Sequence, residues 1–237
     1  MQKRTIFATL AIALVTIALM APLVSAQTNF AAGLYFNAGF PQGDFKDQID
    51  RNAYGLSGQA FYAPSKSPLA IGLELGWMNY GNEKRREPFS TTIPDVTVEV
   101  TTSNNIVQGF FILRGQTPTG PIRLYGDALV GLNYLFTETK ISDEDGGDAV
   151  ASSTNQDDAV FAYGFGGGLQ VPVYSRSIKQ GKPIVVLLDG GLRYVFGGEA
   201  EYLKKGSIRR ENGVVTFDVI KSKTDMLRLH VGVQVRF

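Results

Sequence analysis

The chain of 237 residues has no cysteine, one histidine and one tryptophan. Without thiols there is no disulfide scaffold, no thiolate nucleophile and no cysteine ligand for a metal. One histidine leaves too few donors for a zinc site. An excess of charge is missing as well: 23 Lys and Arg stand against 22 Asp and Glu, a net charge of +1. Nucleic-acid partners are usually met by a basic field, and this chain does not present one. Beyond Met20 there is no apolar run of the ~20 residues that a membrane helix requires. No internal repeat, low-complexity segment or linker divides the chain.

What is present begins with an export signal. Lys3 and Arg4 form a basic start, Ile6 to Met20 is apolar, and Val24-Ser25-Ala26 offers small residues for cleavage before Gln27. Residues 1–26 are therefore expected to be a signal peptide and 27–237 a single domain. Losing Lys3 and Arg4 takes the net charge from +1 to −1. The lack of cysteine suits passage through an oxidising compartment.

The domain is patterned in steps of two. From Leu227 to Phe237 the residues Leu227, Leu229, Val231, Val233, Val235 and Phe237 alternate with Arg228, His230, Gly232, Gln234 and Arg236. A strand sends successive side chains to opposite faces, so one face is apolar and the other polar and cationic. Seven further stretches repeat the pattern, beginning near Phe30, Tyr54, Leu69, Val107, Ile122, Phe161 and Ile184. In the fourth the phase is least clean: Val107, Gly109, Phe111 and Leu113 oppose Gln108, Phe110, Ile112 and Arg114. Each stretch is about the 9–11 residues of a tilted membrane-crossing strand. Aromatics such as Phe30, Tyr62, Trp77, Tyr134, Phe161 and Phe237 gather towards the ends of the outward rows, and glycines populate the inward ones. The links alternate too. Short Pro-rich turns at 64–68 and 117–121 contrast with long charged links at 41–52, 81–94, 142–157 and 199–225. Within two long links, Val96 to Val100 and Val215 to Val219 alternate again, the second after a hairpin signal, Asn212-Gly213. The barrel is expected to project there.

These features predict an all-β fold, an eight-stranded antiparallel up-and-down transmembrane barrel. Spanning by strands requires closure, because only a closed ring satisfies every backbone group in lipid. The segment Phe36-Asn37-Ala38-Gly39-Phe40-Pro41-Gln42-Gly43-Asp44-Phe45, the eight strands and the terminal Phe237 resemble the OmpA/OmpX-type outer-membrane β-barrels of Gram-negative bacteria. The resemblance implies residence in the outer membrane as a monomer, among membrane lipid and lipopolysaccharide. It also implies that Leu229, Val231, Val233, Val235 and Phe237 act as the signal read by the barrel-assembly machinery. No cofactor and no enzyme activity is implied.

The inward rows carry an ionic set: Glu74, Asp127 and Asp189 with Arg114, Arg123, Arg193, Arg228 and Arg236, and His230 beside them. Buried charges must pair, so one reading is a polar core that plugs the barrel, leaving a structural or surface-interaction role for the loops. The other is a narrow porin-like channel, biased to anions by five arginines against three acids. His230 has no serine two residues away and reads as a core histidine. Asp143 to Asp148 is a solvated acidic loop or a weak Ca²⁺ attractor. Lys84, Arg85, Arg86, Arg209 and Arg210 are either solubilising loop charges or a clamp for lipopolysaccharide phosphates.

Overall fold

The computed structural model describes residues 29–64, 67–90, 93–142, 149–176, 183–204, 206–211 and 214–237. The signal segment 1–26 and the acidic run 143–148 lie outside them. Eight strands close into a barrel: β1 (Phe30–Pro41), β2 (Ala53–Tyr62), β3 (Leu69–Ser90), β4 (Ile93–Gln116), β5 (Arg123–Ser142), β6 (Ala149–Arg176), β7 (Ile184–Gly197) and β12 (Met226–Arg236). Each pairs antiparallel with its sequence neighbour in the ring, and β12 closes against β1 from Ala31↔Arg236 to Pro41↔Met226. The eight-stranded up-and-down architecture expected from the sequence is the one observed. Four short strands lie between β7 and β12. They are β8 (Glu199–Tyr202), β9 (Ile208–Glu211), β10 (Val214–Phe217) and β11 (Ile220–Lys223), with β8 paired to β11 and β9 to β10.

The two-residue alternation sorts the side chains as the sequence dictates. Leu73 is 63% exposed and Leu75 69%, whereas Glu74 between them faces in and is buried. Phe161 and Tyr163 are likewise exposed on either side of buried Ala162. The same holds in β4, where Phe111 and Leu113 are exposed and Gln108, Phe110, Ile112 and Arg114 are buried. The outer wall is thus a continuous apolar belt, far beyond the isolated patches of an ordinary soluble surface. No helix among the described residues is long and apolar enough to cross a membrane.

The long links are shorter than the sequence suggested, because the strands invade them. β3 and β4 pair as far as Ser90↔Ile93, and β5 pairs β6 up to Ser142↔Ala149. On the other side of the ring β2 leaves β3 at Asn79, and β7 leaves β6 at Ala162. Strands β3 to β6 therefore run on as a four-stranded wall above one half of the ring. The charges of 83–87 belong to β3, which rises beyond the apolar belt, rather than to irregular loop. The hairpin signal Asn212-Gly213 itself lies outside the described residues. The strands on either side of it, β9 and β10, pair with Glu211 opposite Val214.

The link after β1 is not featureless either. It holds a six-residue helix, α1 (Gly43–Gln48), whose Phe45 is fully buried. Phe45 packs edge-on against Tyr202 and Tyr80, with ring centroids 5.4 and 5.8 Å away. Met78, Ile106, Leu135 and Met226 complete this apolar cluster at the end of the ring away from the termini.

Candidate functional site

Below the apolar cluster, the inward rows converge on an ionic lattice. Glu74 on β3 lies 2.5 Å from Arg193 Nη1 of β7 and 2.5 Å from Arg228 Nη2 of β12. The amide of Gln59 donates to the same carboxylate at 2.5 Å. Asp127 on β5 receives a bidentate pair from Arg114, through Nε at 2.7 Å and Nη2 at 3.0 Å. Arg193 donates to Asp127 as well, from Nη2 at 2.6 Å. Bidentate, charge-assisted geometry is the strong form of this interaction. All of these side chains are buried. Arg114 is also sandwiched between the rings of Tyr125 and Phe61, 3.8 and 4.2 Å from their centroids, which suits a planar, weakly hydrated guanidinium.

Asp189 is held differently. It accepts hydrogen bonds from Tyr125 at 2.6 Å, Gln170 at 2.8 Å and Tyr35 at 3.0 Å, while its nearest cation, Arg114 Nη1, is 3.8 Å away. The Tyr125 hydroxyl also lies 2.8 Å from His230 Nε2. Since that hydroxyl donates to Asp189, it accepts from His230, which makes the ring an Nε2–H tautomer by the logic of the network. The partners of His230 are thus a tyrosine and an aspartate; no serine hydroxyl is among those described.

Glycine makes this cluster possible. A Cβ on Gly168 or Gly191 would run into the Tyr125 hydroxyl, and at Gly191 also into the His230 ring. The large phenol and imidazole fit because the facing positions on β6 and β7 have no side chain.

The structure divides the arginines of the sequence reading. Arg114, Arg193 and Arg228 meet Glu74, Asp127 and Asp189, three cations against three acids. Arg123 and Arg236 stand apart at the end of the barrel that carries the termini. Arg236 donates to the backbone oxygen of Ala63 at 3.2 Å, and Arg123 is half-buried. The excess of five arginines over three acids is consequently not realised in the middle of the lumen. The amides Gln59, Gln108 and Gln170 and the phenols Tyr35 and Tyr125 belong to the lattice and were not singled out from sequence. Their signal was position alone: each occupies an inward slot of a strand.

In the wall, Lys84 is paired with Glu99 across the β3–β4 ladder at 2.6 Å, and this hydrogen bond holds the Glu99 carboxyl below its ordinary range. Arg86 is exposed and Arg85 half-buried beside it. Arg209 and Arg210 lie on β9, opposite Thr216 and Val215; their side chains fall outside the described residues. Leu229, Val231 and Val233 face outward on β12 and pair with Ala38, Phe36 and Leu34, while Phe237 N donates to Phe30 O at 2.9 Å.

No protein-family model matches the chain, and no curated protein matches its sequence. Solved structures are similar to it in fold. Neisserial surface protein A is 15% identical over 89% of this chain and 98% of its own, with a TM-score of 0.44. A major outer membrane protein from Thermus thermophilus is 12% identical over 88% and 99%, with a TM-score of 0.47. Ail, the attachment invasion locus protein of Yersinia pestis, is 16% identical over 88% and 96%, with a TM-score of 0.35. The architecture observed here, a ring of eight antiparallel strands, is that of the OmpA/OmpX-type barrels that the sequence resembles.

Proposed function

We propose that this protein is an integral outer-membrane barrel whose lumen is closed and whose work is done at the cell surface by the wall of strands β3 to β6. The belt of exposed Leu, Phe and Val supports hydrocarbon around the ring. In that orientation the termini and short turns face the periplasm, and the wall and α1 face the exterior.

Two features support a closed lumen. The middle carries a neutral lattice in which each carboxylate is shared between cations or hydrogen-bond donors, and the outer end is filled by Phe45, Tyr80 and Tyr202. A conducting path needs water between such groups, and the arginines instead reach across to bond directly.

The observation that carries the surface role is the unequal height of the ring. Among the described residues β3 from Gly81 onward has a ladder partner only in β4, and β6 before Phe161, whose carbonyl accepts from Gly198 N, has one only in β5. A sheet margin offers unpaired backbone groups to another chain, which is one of the general modes of protein recognition. Membrane lipid and lipopolysaccharide are the proposed surroundings, with Lys84, Arg85, Arg86, Arg209 and Arg210 facing the phosphates of the latter; the barrel is monomeric and needs no cofactor or catalytic group.

Two measurements test this. Refolded barrel in a planar bilayer is expected to be electrically silent, and discrete openings would overturn the closed lumen in favour of a porin-like channel. A variant in which residues 83–100 are replaced by a two-residue turn is expected to fold and insert normally but to lose attachment of displaying cells to a partner surface. Undiminished attachment by that variant would overturn the role of the wall.

A further inference from the structure

Arg123 and Arg236 take no part in the lumen's ion pairs, which engage Arg114, Arg193 and Arg228. The register brings the two to one mouth of the ring. Arg123, at the start of β5, pairs with Gln170 on β6, and Arg236 lies one inward step beyond Gln234 on β12. Gln170 donates to Gln234 across the lumen at 3.0 Å. These amides floor the ionic lattice, and both guanidiniums sit on the side of that floor that carries the termini.

The donors at this mouth are open. Among the described residues no nitrogen of Arg123 has a hydrogen-bond partner. Its Nε and Nη1 are buried, but the side chain as a whole is only half-buried, which leaves Nη2 as its accessible end. Arg236 gives Nη2 to the backbone oxygen of Ala63 at 3.2 Å, and its Nε and Nη1 are neither bonded nor enclosed.

No acid offsets them. Residues 51–73, 100–126, 159–188 and 226–237 contain neither Asp nor Glu, so every strand end on this side lacks a carboxylate side chain. The two guanidiniums are near enough to repel each other. Half-buried cations without a counter-charge are costly, and one shared anion relieves both the desolvation and the repulsion. The planar fork of arginine matches the oxygens of a phosphate. The depth of the site fits as well. Arg236 stands opposite Ala31, next to exposed Phe30, whose ring packs edge-on against exposed Tyr62 at 5.5 Å. Outward aromatics at a strand end mark the membrane–water interface, the level of lipid headgroups.

We propose that this mouth is a binding site for one phosphate group, shared by Arg123 and Arg236. The phosphate can come from the headgroup of a phospholipid in the surrounding leaflet or from a soluble phosphate compound on the same side. Only the lipid source rests on the membrane orientation proposed above. The site itself needs neither the wall nor a closed lumen.

The test is isothermal titration calorimetry on the full barrel in dodecyl maltoside. Inorganic phosphate and dihexanoylphosphatidylglycerol are the probes, and acetate is the control. Saturable binding of at least one phosphate probe is expected, weakened about tenfold by Arg123→Gln combined with Arg236→Gln. Arg176→Gln, which removes an exposed charge at the same end of the barrel, is expected to leave it unchanged. Folding of each variant is checked by gel mobility before and after heating, and where the double variant does not fold each single substitution is read in its place. No saturable binding of either probe up to about 20 mM would overturn the proposal. So would equal or tighter binding of acetate, an affinity that the double variant leaves unchanged, or as large a loss in Arg176→Gln. Tighter binding of the lipid probe upholds the site for a headgroup, and tighter binding of inorganic phosphate upholds it for a soluble compound.

Discussion

Arg193 on β7 and Glu74 on β3 stand on opposite sides of the eight-membered ring, 119 residues apart in sequence, and meet at 2.5 Å. One guanidinium thus spans the lumen, and with its Nη2 it also reaches Asp127. Two strands that share no ladder are tied through the interior.

That bridge predicts an asymmetric mutational response. Arg193→Met leaves two buried carboxylates short of a cation, and breaking a buried ion pair from one side costs about 3–5 kcal/mol. Removing charge from both sides, as in Arg193→Met with Glu74→Gln, is expected to cost less than the sum of the singles. Urea unfolding of refolded barrel in a double-mutant cycle measures this. Strict additivity would show that the two groups do not interact.

The Tyr125 cluster predicts intolerance of the smallest possible side chain. Gly191→Ala and Gly168→Ala both place a methyl where the Tyr125 hydroxyl sits. Each is expected to destabilise the barrel by about 1–3 kcal/mol, the range for overpacking a filled interior. Tyr125→Phe in the Gly191→Ala background, which removes the clashing oxygen, is expected to recover part of that loss in the same unfolding assay.

Phe45 anchors α1 rather than the barrel. Its truncation, Phe45→Ala, removes contacts to Tyr80 and Tyr202. The expected result is rapid proteolytic cleavage within 41–52, with the barrel itself still resistant and still silent in a bilayer. Global loss of the folded band on a gel would show instead that α1 is integral to closure.

The basic residues of β3 and β9 are expected to act on lipid phosphate. Neutralising Arg85, Arg86, Arg209 and Arg210 together should lower the lipopolysaccharide that co-purifies with the barrel, and raised salt should mimic the change, because exposed charges are screened within about 10 Å at 0.1 M. Lys84 is omitted because it already bonds Glu99. An unchanged lipid content would remove the group from any role in lipid contact.

The ring was legible because its signal is local. Alternation at Leu69 to Trp77, or at Leu227 to Phe237, needs only neighbours to be read, and even β4 kept its phase although Phe110 and Ile112 are apolar and inward. Those two pack inside with Phe61 and Leu129, a cluster that no single strand reveals. The tops of the strands were harder to see. From Asn82 to Glu87 both faces are polar, so hydrophobic alternation fades while backbone pairing continues. Helix α1 escaped notice because six residues give no period and its N-cap, Gln42, makes no side-chain cap. Within the lumen, charges were readable as inward residues; partnership was not. Nothing local distinguishes Arg193, which crosses to Glu74, from Arg236, which bonds Ala63 O.

The ring is shut at a seam between its first and last strands, β1 and β12. Tyr35 and Gln234, whose side chains meet beside it, are 199 residues apart. Until the last strand is available, the first presents a bare row of amides and carbonyls with no neighbour on that side. The ring therefore cannot mature piecemeal as the polypeptide emerges. Closure waits on the last strand, so a lesion anywhere in Met226–Arg236 also leaves the free side of β1 without its partner.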